Sequence, residues 1–469
     1  MTPEEFRRFG HRVVDLVADY RAGVAARPVH PPIEPGSVRA QLPEAPPEHG
    51  EQFERVLADL EQVLLPGLAH WQHPKFFGYF PSNGELSSVL GDYLSTGLGV
   101  LGITWESAPA LTELEERVLD WLRQMLGLSS AWRGVIQDTA SSSSLVALIC
   151  ARERTSAFHG VQRGLDQGSA PLVVYISAHA HSSVEKAALL AGFGREHLRK
   201  IAVDASFALD ADALERAIRD DLAAGRRPCA IVATTGTTTT TAMDPIAACA
   251  RLARELGLWL HVDAAMAGSA MILPECRALW DGIEGADSLV LNPHKWLGVA
   301  FDCSTYYVRD PEHLVRVMST NPSYLQTSAD GQVTNFRDWG IPLGRRFRAL
   351  KLWSLIREQG VRGLQSRLRR DLENAQWLAD QLRALPHWRL LAPVSLQTLC
   401  IRHEPPGLTP EALDHHTLTW LARLHASGSA WLTPALLEGR WMVRISIGSI
   451  PTERPHLTQL LSDLQLATR

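Results

Sequence analysis

The sequence predicts an α/β protein with a central, mainly parallel sheet, an N-terminal helical arm and a small C-terminal α+β domain. Four short apolar runs separated by helical patterns carry the prediction: Leu172 to Ile176, Ala230 to Ala233, Trp259 to Val262 and Leu289 to Leu291. Apart from His261, every residue in them is apolar or aromatic, as strands covered on both faces must be. Between them lie helical patterns such as Asp244 to Leu256, closed by Gly257, a residue suited to ending a helix. Alternating strands and helices imply parallel pairing, and in such sheets ligands bind beyond the carboxyl ends of the strands.

Taken in order, residues 3 to 24 read as an amphipathic helix with Phe6, Val13, Val14, Val17 and Tyr20 along one stripe. The connector "RPVHPPIEPGSVRAQLPEAPPEHG" holds too many prolines to be helical throughout and reads as an arm laid over another surface, or as a linker. The α/β rhythm then runs from about residue 110 to 310. A long helical stretch, Arg345 to Leu385, leads to strands Trp388 to Leu391, Thr398 to Arg402 and Trp441 to Ile447 with a helix from Glu411 to Leu424. We therefore divide the chain into an arm (1–85), a large domain (86–350) and a small domain (351–469).

The 469 residues are 45% hydrophobic and 21% charged, the balance of a globular protein. A net charge of −5 offers no basic field for nucleic acid. The six cysteines stand singly without CxxC spacing, which suits a reducing compartment better than disulfides or zinc. No segment approaches the ~20 apolar residues of a membrane span, and the first residues lack the apolar core of a signal peptide. A cytoplasmic protein that binds no metal, membrane or nucleic acid is expected.

The strand-end turns hold the chemistry. In "VIQDTASSSSLVALICAR", Thr139, Ala140 and Ser141 stand before an apolar helix, where open N–H groups can bind an anion; the missing GxxxxGK and GxGxxG exclude the usual nucleotide loops. In "VVYISAHAHSSVEKAALL", one of His179 and His181 is structural and the other faces the crevice, with Ser182 and Glu185 forming a capping box. "IVATTGTTTTTAMDP" offers hydroxyls such as Thr238. In "WLHVDAAMAGSA" the carboxylate of Asp263 ends a mostly apolar strand, and Ala264 and Ala265 leave room beside it for a flat ring. A buried carboxylate costs several kcal/mol unless a cation or donor meets it, and a pyridinium nitrogen is such a donor. In "SLVLNPHKWLG", Lys295 follows a strand end, where burial favours the neutral amine that forms a Schiff base. Lysine, aspartate, stacking histidine and helix-terminus phosphate cradle together describe a pyridoxal 5'-phosphate site.

With these residues in hand, the chain resembles the group II pyridoxal-phosphate decarboxylases, most nearly the aromatic L-amino acid decarboxylases. The likeness runs from "EFRRFGHRVVDLVADY" through "HWQHPKFFGYFP", "NPSYL" and "IPLGRRFR" to "VRISIG", with "HVDAAMAGSA" and "NPHKWL" its most specific parts. It implies a type I aspartate-aminotransferase-like homodimer with shared active sites, in which Lys295 carries the cofactor, Asp263 pairs with its ring nitrogen and His181 stacks on the ring. Ala140, Ser141, Asn292 and His294 would hold the phosphate, with Thr238 near the ring hydroxyl. Trp71, Tyr79, Phe80, Pro81 and Ser82 would line the amino acid pocket, with Leu101 and Ile103 arriving from the partner subunit. Ser82 and Ile103 depart from the threonine and phenylalanine of the animal enzymes, which puts catechol preference in doubt. The resemblance also implies a lid at about Met318 to Asp338, whose Tyr324 protonates the substrate carbon after CO2 leaves; a phenylalanine there marks aldehyde-forming relatives. Gly344 implies room for indole or phenol rings, so tryptophan, tyrosine, dihydroxyphenylalanine and phenylalanine rank above histidine. A histidine or acidic amino acid decarboxylase, an aromatic acetaldehyde synthase and a cofactor-free scaffold protein are the competing readings.

Overall fold

The computed structural model describes residues 1–164, 170–320, 329 and 331–469. They form two compact units, one of Met1–Pro81, Gln376–Leu391 and Cys400–Arg469, the other of Ser82–Ala375 and Ala392–Leu399.

The second unit is built on seven strands: β1 (Arg133–Gln137), β2 (Leu172–Ser177), β3 (Leu198–Ile201), β4 (Arg227–Thr234), β5 (Trp259–Asp263), β6 (Ser288–Leu291) and β7 (Ser304–Val308), in the order β1-β7-β6-β5-β4-β2-β3. β3, β2, β4, β5 and β6 pair in parallel, while β7 runs antiparallel to both β6 and β1. The expected mainly parallel sheet is therefore present, and the four apolar runs are its core strands. β1, β3 and β7 join it without having announced themselves. RGVIQ and STYYV mix polar residues into short runs, and LRKI lies at the edge, where its charges reach water. Helix Ala140–Thr155 packs Val146, Ala147, Leu148 and Cys150 into the core beside β4, β5 and β6. The helical stretch after Arg345 is Ala349–Ala384, and its helical conformation is broken at Gly360 (φ 64°).

In the first unit, helix Pro3–Gly23 opens with a capping box between Thr2 and Glu5. Of its face, Val13, Val17 and Tyr20 are half-buried but Phe6 and Val14 are exposed, and Phe9 is buried against Phe53 at 5.1 Å. The start of the connector is tied down within its own unit, where Val29 bonds to the Gly428 carbonyl and the His30 ring stacks on Trp431 at 4.4 Å. A four-stranded sheet closes the chain, in the order β10-β11-β9-β8: β8 (Trp388–Leu390), β9 (Thr398–His403), β10 (Thr433–Leu437) and β11 (Arg440–Ser446). β10 was hidden in the sequence by Pro434.

Candidate active site

The pairing register of β4, β5 and β6 sets Thr234, Asp263 and Val290 side by side at the carboxyl edge of the sheet. Beyond them the turns are stitched together. Thr235 N–H donates to the Asp263 carbonyl, Ala264 N–H to Val290 and Asn292 N–H to Ala265, each at 2.9 Å. The Asp263 carboxylate is buried, and its Oδ1 accepts the Ala265 N–H at 3.0 Å. One backbone donor does not offset the burial of a full negative charge, so the site calls for a cation or a charged donor.

Lys295 lies four residues past the end of β6, half-buried, where the backbone leaves helical conformation (φ −97°, ψ −112°). Its carbonyl accepts the Gly298 N–H and the Asn83 side-chain amide, each at 3.3 Å. Beside it, His294 Nδ1 accepts the Cys303 N–H at 2.9 Å, so the neutral ring carries its proton on Nε2. Burial, reinforced by Lys295, holds this imidazole down at about 4. His181 is exposed at the surface of this chain, and partial desolvation of its ring lowers its pKa, with Asp263 pulling upward and Lys295 downward.

His181, not Ser182, is the N-cap of helix Ser182–Leu190. Its Nδ1 accepts the Ser183 N–H at 3.2 Å, and Ser183 Oγ lies 2.7 Å away. The expected Ser182–Glu185 capping box is absent because the helix starts one residue too early for it, and Glu185 pairs with Lys200 at 2.9 Å instead. The ring of His179 lies parallel to that of Phe207 at 5.9 Å.

In the threonine-rich turn, Thr237 Oγ1 meets Thr240 Oγ1 at 3.0 Å and accepts the Ala242 N–H at 3.0 Å, while Thr238 is half-buried. Gly236 (φ +76°) permits this turn; a Cβ there would lie 2.5 Å from Ala267 Cβ. Helix Ala140–Thr155 follows β1 with Thr139 as N-cap and no side-chain cap, which leaves the first-turn N–H groups around Ala140 and Ser141 open to an anion. Asn292 is buried, with an amide oxygen that has no hydrogen-bond partner among the described residues.

Each unit holds some of the residues expected to line the substrate pocket. In the second, Gly102 N–H donates to the Arg345 carbonyl at 2.9 Å, which holds the stretch from Leu101 to Ile103 beside Gly344. Leu101 and Gly344 are exposed, Ile103 and Ser82 half-buried. In the first, Trp71 stacks on Tyr79 at 5.3 Å, Arg444 lies over Phe80 at 4.9 Å and Pro81 is buried. Tyr324 lies outside the described residues, as does part of the expected lid. Among the described residues no group of three or more His, Cys, Asp or Glu side chains could hold a metal ion. Asn83, Arg367 and Asp371 escaped the sequence reading: the first gave no signal, and the other two sit in "RLRRDLENA", whose charges pass for a solvated helix face.

The model of the pyridoxal-dependent decarboxylase conserved domain matches residues 35–404. The chain belongs to the pyridoxal-dependent decarboxylases. It is 38% identical over 475 residues to a phenylacetaldehyde synthase of Arabidopsis thaliana, covering 99% of this chain and 96% of the relative. It is also 38% identical over 498 residues to tyrosine/DOPA decarboxylase 2 of Papaver somniferum, covering 99% and 93%. A solved structure of Oryza sativa TDC with PLP and tryptamine superposes with a TM-score of 0.96 at 35% identity, covering 100% of this chain and 98% of that one. The type I aspartate-aminotransferase-like architecture is thereby established, and this decarboxylase is a carboxy-lyase that uses pyridoxal 5'-phosphate. Its residues fit the cofactor: an uncapped helix terminus for the phosphate, and a buried carboxylate in need of a protonated partner.

Proposed function

We propose that this decarboxylase converts an aromatic L-amino acid to its amine and CO2. The observation that carries the reading is the convergence of Asp263, Lys295 and His181 on one sheet edge. When bound, pyridoxal 5'-phosphate supplies an electron sink for the bond that breaks. Lys295 Nζ would anchor it, and the Asp263 carboxylate would hold a proton on its ring nitrogen. His181, held by Ser183, would stack on the ring. Ala140, Ser141, Asn292 and His294 would hold the phosphate, with Thr238 near the ring hydroxyl. Tyr324 delivers the proton that replaces the carboxylate on Cα.

Aromatic substrates are supported by the named relatives and by Gly344, where no atom lies within 4 Å of a would-be Cβ. Trp71 and Tyr79 present ring faces, and with Phe80, Pro81, Ser82, Leu101 and Ile103 they complete the proposed substrate set. The phenylacetaldehyde synthase relative keeps aldehyde formation as the second reading, against which the hydroxyl of Tyr324 weighs. The proposed enzyme is a homodimer in a reducing, cytoplasmic setting. That setting is supported by six free cysteines and by the lack, among the described residues, of any helix long and apolar enough to cross a membrane.

Incubation with each aromatic amino acid, histidine and glutamate in turn, with assays for amine, aldehyde and peroxide, tests the proposal. Amine from an aromatic substrate is expected; aldehyde with equimolar peroxide selects the second reading. Tyr324→Phe should shift product toward aldehyde, and amine formation at an unchanged rate would remove Tyr324 from the mechanism.

A further inference from the structure

We infer that Arg367, acting with Asp371 and Trp296, is a positioning clamp on the Lys295 turn. The single turn Pro293–Leu297 is broken at Lys295, so its carbonyls cannot be satisfied by a continuing helix. Lys295 O is met by Gly298 and Asn83. The next two carbonyls are closed by one side chain: Arg367 donates from Nη1 to Trp296 O at 2.9 Å and from Nη2 to Leu297 O at 2.6 Å. One turn further along helix Ala349–Ala384, the buried Asp371 accepts the Trp296 indole N–H at 2.9 Å. Positions four apart on one helix therefore grip the main chain and the side chain of the residue that follows Lys295. Gly298 (φ +92°) makes the approach possible, since a Cβ there would stand 3.0 Å from Arg367 Nη2.

Arg367 and Asp371 are both buried, and burial lowers the pKa of the first and raises that of the second. Apolar residues would fill this space without that desolvation penalty. What the charges do that apolar residues cannot is satisfy two carbonyls and an indole N–H, all on the turn that aims Lys295. The direction of the Lys295 side chain is set by its backbone, and a misplacement of ~1 Å at a reacting group can cost on the order of 100-fold in rate.

The inference rests on Lys295 being the cofactor lysine, so the test separates the two. Borohydride reduction of the wild-type holoenzyme followed by peptide mapping should label Lys295; label on another lysine overturns that reading and the clamp with it. Arg367→Met, Arg367→Lys and Trp296→Phe are then compared by amide hydrogen exchange of residues 294–299 against the sheet strands and by the dissociation constant for pyridoxal 5'-phosphate. Arg367→Met should speed local exchange and weaken cofactor binding, each by about tenfold or more, because two buried acceptors lose their donor. Arg367→Lys should fall between it and wild type, and Trp296→Phe should shift both readouts in the same direction by less. Should Arg367→Met fail to fold, the other two decide. Wild-type local exchange and cofactor affinity in Arg367→Lys and Trp296→Phe overturn the clamp, as does faster exchange spread equally over the sheet, the mark of a merely structural role.

Discussion

Asp263 and Gly344 carry the residue-scale tests of the proposed reaction. Asp263→Asn keeps the size of the side chain and an oxygen for the Ala265 N–H, and removes only the charge. We expect kcat to fall by on the order of 10²–10³-fold, the usual cost of losing one preorganised electrostatic partner. Steady-state kinetics combined with the cofactor's visible absorption checks this: a colourless variant would place the defect in binding instead. Gly344→Ser adds a side chain where nothing lies within 4 Å, so the melting temperature should not move. Under the proposed function its effect falls on substrate choice. kcat/KM for tryptophan should drop by roughly tenfold or more relative to histidine, in keeping with what one small group is worth in an apolar pocket. Unchanged relative values would remove Gly344 from the specificity determinants.

At the scale of the element, β5 explains why one polar residue interrupts an apolar run. His261 is buried with Nδ1 2.9 Å from Ser288 Oγ and Nε2 3.4 Å from Ser144 Oγ, so it ties β5 to β6 and to the helix that begins at Ala140. Burial holds its pKa down at about 4 while Asp263 pulls upward. The unfolded chain takes up this proton near pH 6.5 and the folded chain only near 4, so stability is lost as pH falls through that window, at about 1.4 kcal/mol per pH unit. Asp244, which accepts the Leu209 and Thr234 N–H groups, opposes this: burial raises it to about 7, and the folded state gains from its protonation as pH drops. His261→Gln should therefore be less stable than wild type at pH 8, with the gap closing below pH 6.5. Chemical denaturation at several pH values measures it, and a gap independent of pH would refute the neutral buried histidine. Such detail is only partly legible in a sequence. Apolar strands and the residues at their ends could be read because burial on both faces leaves a composition signature. The serines that satisfy His261, and Arg367 and Asp371 against Lys295, lie tens of residues from their partners and leave no local trace.

At the scale of the whole molecule, the helix Leu86–Leu98 is inside out. Its buried positions are the small residues Ser88, Gly91 and Ser95, and a Cβ on Gly91 would come within 2.8 Å of the Leu350 carbonyl. Its leucines face away from the chain: Leu90, Leu94 and Leu98 are 53%, 51% and 64% exposed, with Leu86, Tyr93 and Leu101 exposed beside them. From sequence alone, spacing shows that a face is apolar but not what covers it. A contiguous apolar surface of this kind marks an interface, and the occupant we propose is a second copy of the chain. Leu101 adjoins this face and was expected at the partner's pocket, so assembly and activity should be lost together. Leu94→Arg sets an unpaired charge in the middle of the face without touching the core that Gly91 packs against. By sedimentation velocity it should yield folded monomers where the wild type gives dimers, with decarboxylation falling in proportion to the dimer fraction. A monomer of full activity would mean that each chain completes its own site, and a dimer that survives the substitution would mean that the copies meet elsewhere.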